Sequence, residues 1–251
     1  MMIKALKELR KEILTTSYIN KAGHIPSAFS ILEILFSLYN DVMGTEDKFL
    51  LSKGHGCLAL YSLFYYKGYI SKEQFYSFSQ YDSLLGGHPD RNKLSQIEIS
   101  AGSLGHGLPI AVGICLSKKI KNEDGRVFCL VGDGECNEGT TWESLLLADK
   151  LKLNNLICVI DNNNSQTRAV PTTDLKNKIS SFGFETLNCD GHNLEELGKT
   201  FRTRSNKPLA VICNTTKGFG IDEMETDMFS WHHGPPTEEK LKQFLEELDK
   251  K

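Results

Sequence analysis

Apolar residues at Ile3, Leu6, Leu9 and Ile13 recur at the spacing of one helix face, which predicts a helix over 3–20. The run SILEILFSLY, after Ser27, predicts a second helix over 30–39, and helices are expected to dominate the first hundred residues. Further along, the pattern changes. RVFCLV (126–131), NLICVI (155–160) and PLAVIC (208–213) are short, continuously apolar, rich in Val and Ile, and bounded by Gly, Asn or Pro. Such runs are expected of strands buried on both faces. Between the first two lies TTWESLLLADKLK (140–152), a helical stretch. Strand, helix, strand at this distance is a βαβ unit, so the expected fold is α/β, a parallel central sheet flanked by helices, with its ligand crevice at the C-terminal ends of the strands. The closing segment TEEKLKQFLEELDKK predicts a surface helix capped by Thr237. No internal repeat or low-complexity linker divides the chain, so residues 1–251 are expected to form a single domain.

Composition narrows the class. With 40% hydrophobic and 24% charged residues the chain is of ordinary globular make-up, and 251 residues can bury a full core without covalent staples. The seven cysteines include no C-x-x-C pair and mostly sit inside apolar runs, where a thiol behaves as a small hydrophobe, which favours a reducing compartment. No apolar stretch approaches the roughly 20 residues of a membrane span, and the charged amphipathic start does not read as a signal peptide, so a cytoplasmic location with no membrane role is expected. The net charge is −3, with Lys and Arg scattered rather than gathered in a stripe, which argues against nucleic acid.

The candidate chemistry lies where strands end. Val131-Gly132-Asp133-Gly134-Glu135 follows the first predicted strand, and Asp161-Asn162-Asn163-Asn164 follows the second, on the same edge of the sheet. An Asp carboxylate and an Asn carbonyl oxygen are hard ligands suited to Mg2+ or Ca2+. Glycines let backbone N–H groups approach a phosphate, and the helix that follows Gly134, the stretch 140–152, would point its positive end there. Either half alone is an ordinary turn, and the spacing is what gives the pair meaning. Histidine adds to the picture, because five of the seven directly follow glycine: His24, His55, His88, His106 and His192. Such imidazoles are expected in turns with unusual backbone freedom. Any one of them reads as a hydrogen-bonded loop histidine, and no spacing among them suggests zinc.

Gly134 and the Asn162-Asn163 pair are separated by 27 residues, Glu135 to Asp161, an arrangement that resembles the thiamine diphosphate signature. The segments AGHIPSAFS, SKGHGCLALY, GGHPD, AGSLGHGL and GDGECNEGTTWE resemble successive motifs of the transketolase family, in order, from about residue 17 to 236. The resemblance implies the thiamine diphosphate-binding fold, with thiamine diphosphate and Mg2+ as cofactors. It assigns the metal to Asp133, Asn163 and the Ser165 carbonyl, and cofactor contacts to His55, Gly102, Ser103, Leu104, Gly134, Glu135, Asn163 and His232. His24, His55 and His88 would face the sugar, their imidazoles orienting hydroxyls and moving protons near neutrality. SWHHGPPTEE resembles the family's Trp-His-Gly turn with the histidine doubled, so His232 and His233 both remain candidates. His106 stands where the family often has glutamine, and its role stays open. Glu138 and Glu143 match acidic residues at the family's subunit contact. Lys217–Gly220 reads as a simple strand-exit turn.

Family chains continue into a pyrimidine domain, whose glutamate activates the cofactor, and a C-terminal domain; no glutamate here falls in a matching context. The resemblance therefore implies the N-terminal subunit of a split transketolase. With a C-terminal partner subunit supplying that glutamate, it would transfer a two-carbon ketol unit from a ketose phosphate to an aldose, as a heterotetramer. Two alternatives are a related thiamine-dependent synthase or transferase making an unusual sugar or cyclitol precursor, and a catalytically silent regulatory subunit. The intact Asp133/Asn163 pair argues against silence.

Overall fold

The computed structural model describes residues 2–168 and 170–251. Five strands form the sheet: β1 (Lys48–Leu51), β2 (Val127–Gly132), β3 (Leu156–Asn162), β4 (Glu185–Asp190) and β5 (Leu209–Asn214). Their order is β1-β2-β3-β5-β4 and every pairing is parallel. The three predicted apolar runs are β2, β3 and β5, at the centre, and their alternating side chains feed two separate cores. Phe128, Leu130, Ile157, Val159 and Val211 pack on one face, with the helices Met2–Asn20, Cys57–Tyr66 and Leu194–Phe201. Val127, Cys129, Val131, Cys158 and Ile160 pack on the other, under the helices Gly107–Lys121 and Gly139–Lys150. Burial on both faces is why these strands are continuously apolar.

Two strands carry no such signal. β1 is four residues long, and β4 is an edge strand whose Asn188 and Asp190 are exposed. The predicted first helix is Met2–Asn20. The second differs: over 30–39 the chain forms the short helix Leu32–Ser37, which widens into a π turn at Leu38–Val42. The last helix, Glu238–Lys250, packs on Met2–Asn20, and the Thr237 hydroxyl accepts the Lys240 N–H at 3.2 Å as the expected cap. All seven cysteines are buried and unpaired, and no helix among the described residues is long and apolar enough to cross a membrane.

Candidate functional site

Register sets the site. Gly132 of β2 lies opposite Asp161 of β3, and Asp161 opposite Cys213 of β5, so the loops that follow emerge side by side at the C-terminal edge. Asp133 is only 2% exposed. Its Oδ1 accepts the Gly134 N–H at 2.8 Å and the Ser165 hydroxyl at 3.1 Å, whereas its Oδ2 is buried without a partner. Burial, and then the charge of Asp161, hold the Asp133 carboxyl above the usual carboxylate range. Such an orphan oxygen in a buried carboxylate is costly unless a cation meets it. The neighbouring Asn163 turns its Oδ1 to the Ser165 N–H at 3.1 Å and donates Nδ2 to Asp161 Oδ2 at 2.9 Å. One carboxylate with amide and carbonyl oxygens is a donor set that fits Mg2+. Among the described residues no group of three or more His, Cys, Asp or Glu could hold a metal instead.

The helical stretch expected at 140–152 is the α-helix Gly139–Lys150, and a turn separates it from Gly134. Asp133–Asn137 is a 3-10 turn, Glu138 is extended, and the α-helix begins only at Gly139. The reason is Glu135. Its carboxylate turns inward and accepts the Ser52 hydroxyl at 2.5 Å, the Gly105 N–H at 2.8 Å and the Gly132 N–H at 2.9 Å. It holds the loop in shape with its own oxygens already occupied. A Cβ at Gly134 would lie 2.4 Å from Gln166 Nε2, the far end of a flexible side chain that can move aside, so packing alone does not demand glycine there.

Above this edge is a cleft of about 270 Å3, lined by His24, His55, His88, His232, Gly102 and Leu104 together with the Asp133 and Asn163 loops. The His24 ring lies 5.4 Å from that of His55, 5.5 Å from His232 and 4.6 Å from His233. Burial, with neighbouring cationic groups, lowers the His24 pKa to about 4 and that of His55 to about 2. These two are thus neutral at pH 7 rather than poised near neutrality as the composition of the site alone would imply. His232 lines the cleft and meets Lys217 Nζ through Nδ1 at 2.9 Å; His233 touches His24 but does not line the cleft. Ser103 also stands outside the lining, exposed, with its hydroxyl 3.1 Å from His106 Nδ1. His192 is elsewhere: it is stacked on Phe219 and bonded to Glu33 at 3.0 Å and to the Thr216 N–H at 2.9 Å. It borders a separate, larger cleft of about 1090 Å3 that holds none of the other histidines.

Residues 4–249 match the family described as the transketolase thiamine diphosphate binding domain. The chain belongs to the transketolase family. Its relatives include an apulose-4-phosphate transketolase subunit from Phocaeicola vulgatus, 35% identical over 96% of this chain and 92% of the relative. The subunit of the same name from Actinobacillus succinogenes is 36% identical over 98% of this chain and 95% of the relative. Among solved structures, transketolase from Leishmania mexicana superposes with a TM-score of 0.89 at 25% identity, covering 99% of this chain and 41% of that one. This chain thus spans about two-fifths of that transketolase. The family's cofactor is thiamine diphosphate, used with a divalent metal.

Two site residues of this transketolase-family chain went unassigned in the sequence. Lys217, read as part of a plain strand-exit turn, is 2% exposed and faces the cleft through His232. Burial, and then Lys53, lower its pKa to about 8. Lys53 itself is buried in an ion pair with Asp161. Both lysines immediately precede glycines at strand exits, a position where a buried cation gives no periodic signal; the only clue was their nearness to the glycine motifs.

Proposed function

We propose that this chain is the N-terminal, diphosphate-binding subunit of a two-chain transketolase, acting over residues 1–251 as one domain. The observation that carries the reading is the orphan Asp133 Oδ2, buried beside Asn163 and faced by a cleft of imidazoles and Lys53. Asp133, Asn163 and the Ser165 carbonyl would hold Mg2+, and backbone around Gly134 would meet the diphosphate. Bound thiamine diphosphate supplies the electron sink that allows a carbon–carbon bond beside a carbonyl to be broken and remade. The chain's own part is to bind, orient and move protons. His24, His55 and His88, with His232, take up the sugar hydroxyls. Because His24 and His55 are neutral, each ring has one nitrogen to accept and one to donate a hydrogen bond, which lets it relay a hydroxyl proton. Gly102 and Leu104 wall the cleft, and Glu135 keeps the Gly105 and Gly132 backbone in place.

The reading extends to assembly. Two relatives of nearly the same length are named as subunits of a transketolase, which supports a partner chain here as well. That partner would supply the pyrimidine domain and the activating glutamate, with two copies of each chain in a heterotetramer and Glu138 and Glu143, both exposed, near the contact. The donor would be a ketose phosphate, and apulose 4-phosphate, named for those relatives, is the first to assay. Seven buried free thiols support a reducing, cytoplasmic location. Mixing the purified chain with a pyrimidine-domain partner should give ketol transfer that neither shows alone; transfer by this chain unaided, or none from the mixture across a panel of ketose phosphates, would refute the proposal.

A further inference from the structure

Asn163 is an amide, and an amide ligates a cation only through oxygen; turned by half a rotation it would present NH2 and repel the ion. Two contacts fix its orientation: the Ser165 N–H donates to its Oδ1 at 3.1 Å, and Asp161 takes its Nδ2 side. Asp161 Oδ2 accepts Asn163 Nδ2 at 2.9 Å and the Ser30 hydroxyl at 2.8 Å, and its Oδ1 accepts the Thr215 hydroxyl. Its side chain is completely buried and paired with Lys53, whose side chain is 1% exposed. A lone carboxylate there would be prohibitively desolvated and would repel Asp133. A neutral acceptor would hold the amide less firmly.

We infer that Lys53 and Asp161 form a positioning pair for the metal site: Asp161 holds the Asn163 Nδ2 so that its oxygen stays turned to Ser165, whose hydroxyl meets Asp133, and the buried ion pair with Lys53 holds Asp161 in place. This rests on the proposed assignment of Asp133 and Asn163 to the metal. Neither member of the pair touches the ion; each acts through Asn163. Groups that orient a metal ligand in this way are worth about 10- to 100-fold in metal affinity.

The test removes the pair without stranding a charge. In the two-chain complex with saturating thiamine diphosphate, Lys53→Met/Asp161→Leu should bind Mg2+ about 10- to 100-fold more weakly by calorimetry. Lys53→Met/Asp161→Asn, which keeps an oxygen able to accept Asn163 Nδ2, should recover much of that loss, and it carries the comparison if the first variant does not fold. In the ligand-free chain, the Asn163 side-chain amide protons should exchange slowly by NMR in the wild type and at the rate of a free amide once Asp161 is Leu. Free-amide exchange in the wild type would overturn the inference. So would unchanged Mg2+ affinity in a folded double variant while Asp133→Ala loses it. If Asp133→Ala also binds normally, the metal assignment fails instead, and this inference with it.

Discussion

Glu135→Gln changes one atom in the interior and tests whether the loop between β2 and the helix Gly139–Lys150 is held by an anion. The wild-type carboxylate accepts three donors, Ser52 Oγ and Gly105 N–H on Oε1 and Gly132 N–H on Oε2, and the residue is 1% exposed. Glutamine has one acceptor oxygen. Its least costly placement leaves that oxygen at the two-donor position and sets NH2 against the Gly132 N–H, which is then buried and unsatisfied. The lost bond and the stranded donor cost about 1–3 kcal/mol, and the two remaining bonds weaken on becoming neutral, since charge-assisted bonds are roughly twice as strong. Part of this returns, because burial already raises the Glu135 pKa and so opposes its charge. A net loss of about 2 kcal/mol remains, which for a chain of this size lowers Tm by roughly 4–8 °C. Thermal unfolding followed by circular dichroism at pH 7 reads it, with the exposed Glu239→Gln as a control expected within about 0.5 kcal/mol of wild type. A Glu135→Gln melting point matching the control would refute the assignment of the loop's rigidity to this carboxylate.

Asp133→Asn keeps an acceptor for Gly134 and Ser165 but removes an uncompensated buried charge, so the ligand-free chain should melt no lower than wild type; the rise in Tm given by thiamine diphosphate with Mg2+ in the two-chain complex should vanish, and a retained rise would contradict the metal assignment. His232→Ala should lower kcat/KM about tenfold more than His233→Ala, because His232 lines the cleft and is held by Lys217; equal effects in steady-state assays would reject the distinction. The pKa values of His24 and His55, lowered in the fold to about 4 and about 2, mean that below about pH 6.5 the unfolded chain takes up protons that the folded chain does not. Ligand-free stability should therefore fall as the pH drops from about 6.5 toward 4, and His55→Asn should flatten that slope in urea titrations; an unchanged slope would count against the burial argument.

The sequence disclosed most where one physical cause acts alone. β2, β3 and β5 were legible because burial on both faces leaves nothing but apolar residues in them. β4 was not, because an edge position lets Asn188 and Asp190 face water and breaks both the run and the alternation. The glycine-flanked histidines pointed to the cleft, yet the same signal marked His192, whose ring is spent on Glu33, Thr216 and Phe219. A glycine before a histidine reports backbone freedom and says nothing of where the ring goes. The helix expected at 140–152 was legible, but the shape of the turn before it was not: nothing local distinguishes a carboxylate that opens a helix from one that folds back to bind Gly105 and Gly132, residues brought near only by the tertiary fold.

Electrostatics explains why the least legible residues matter. His24 and His55 have lowered pKa values partly because Lys53, Lys217 and other imidazoles crowd them, and Lys217 is lowered in turn by burial and Lys53. Asp133 is raised by burial and by Asp161. Each group is thus displaced toward neutrality, the sign of a site whose partners are not all protein atoms. On the proposed assignment, a divalent cation would relieve Asp133 and a diphosphate would relieve the lysines and imidazoles, so each ligand would improve the field that the other meets. Whatever binds only the folded state stabilises it by mass action, so the proposed binding of cation and diphosphate together would recover the stability sacrificed by burying these charges in the ligand-free domain.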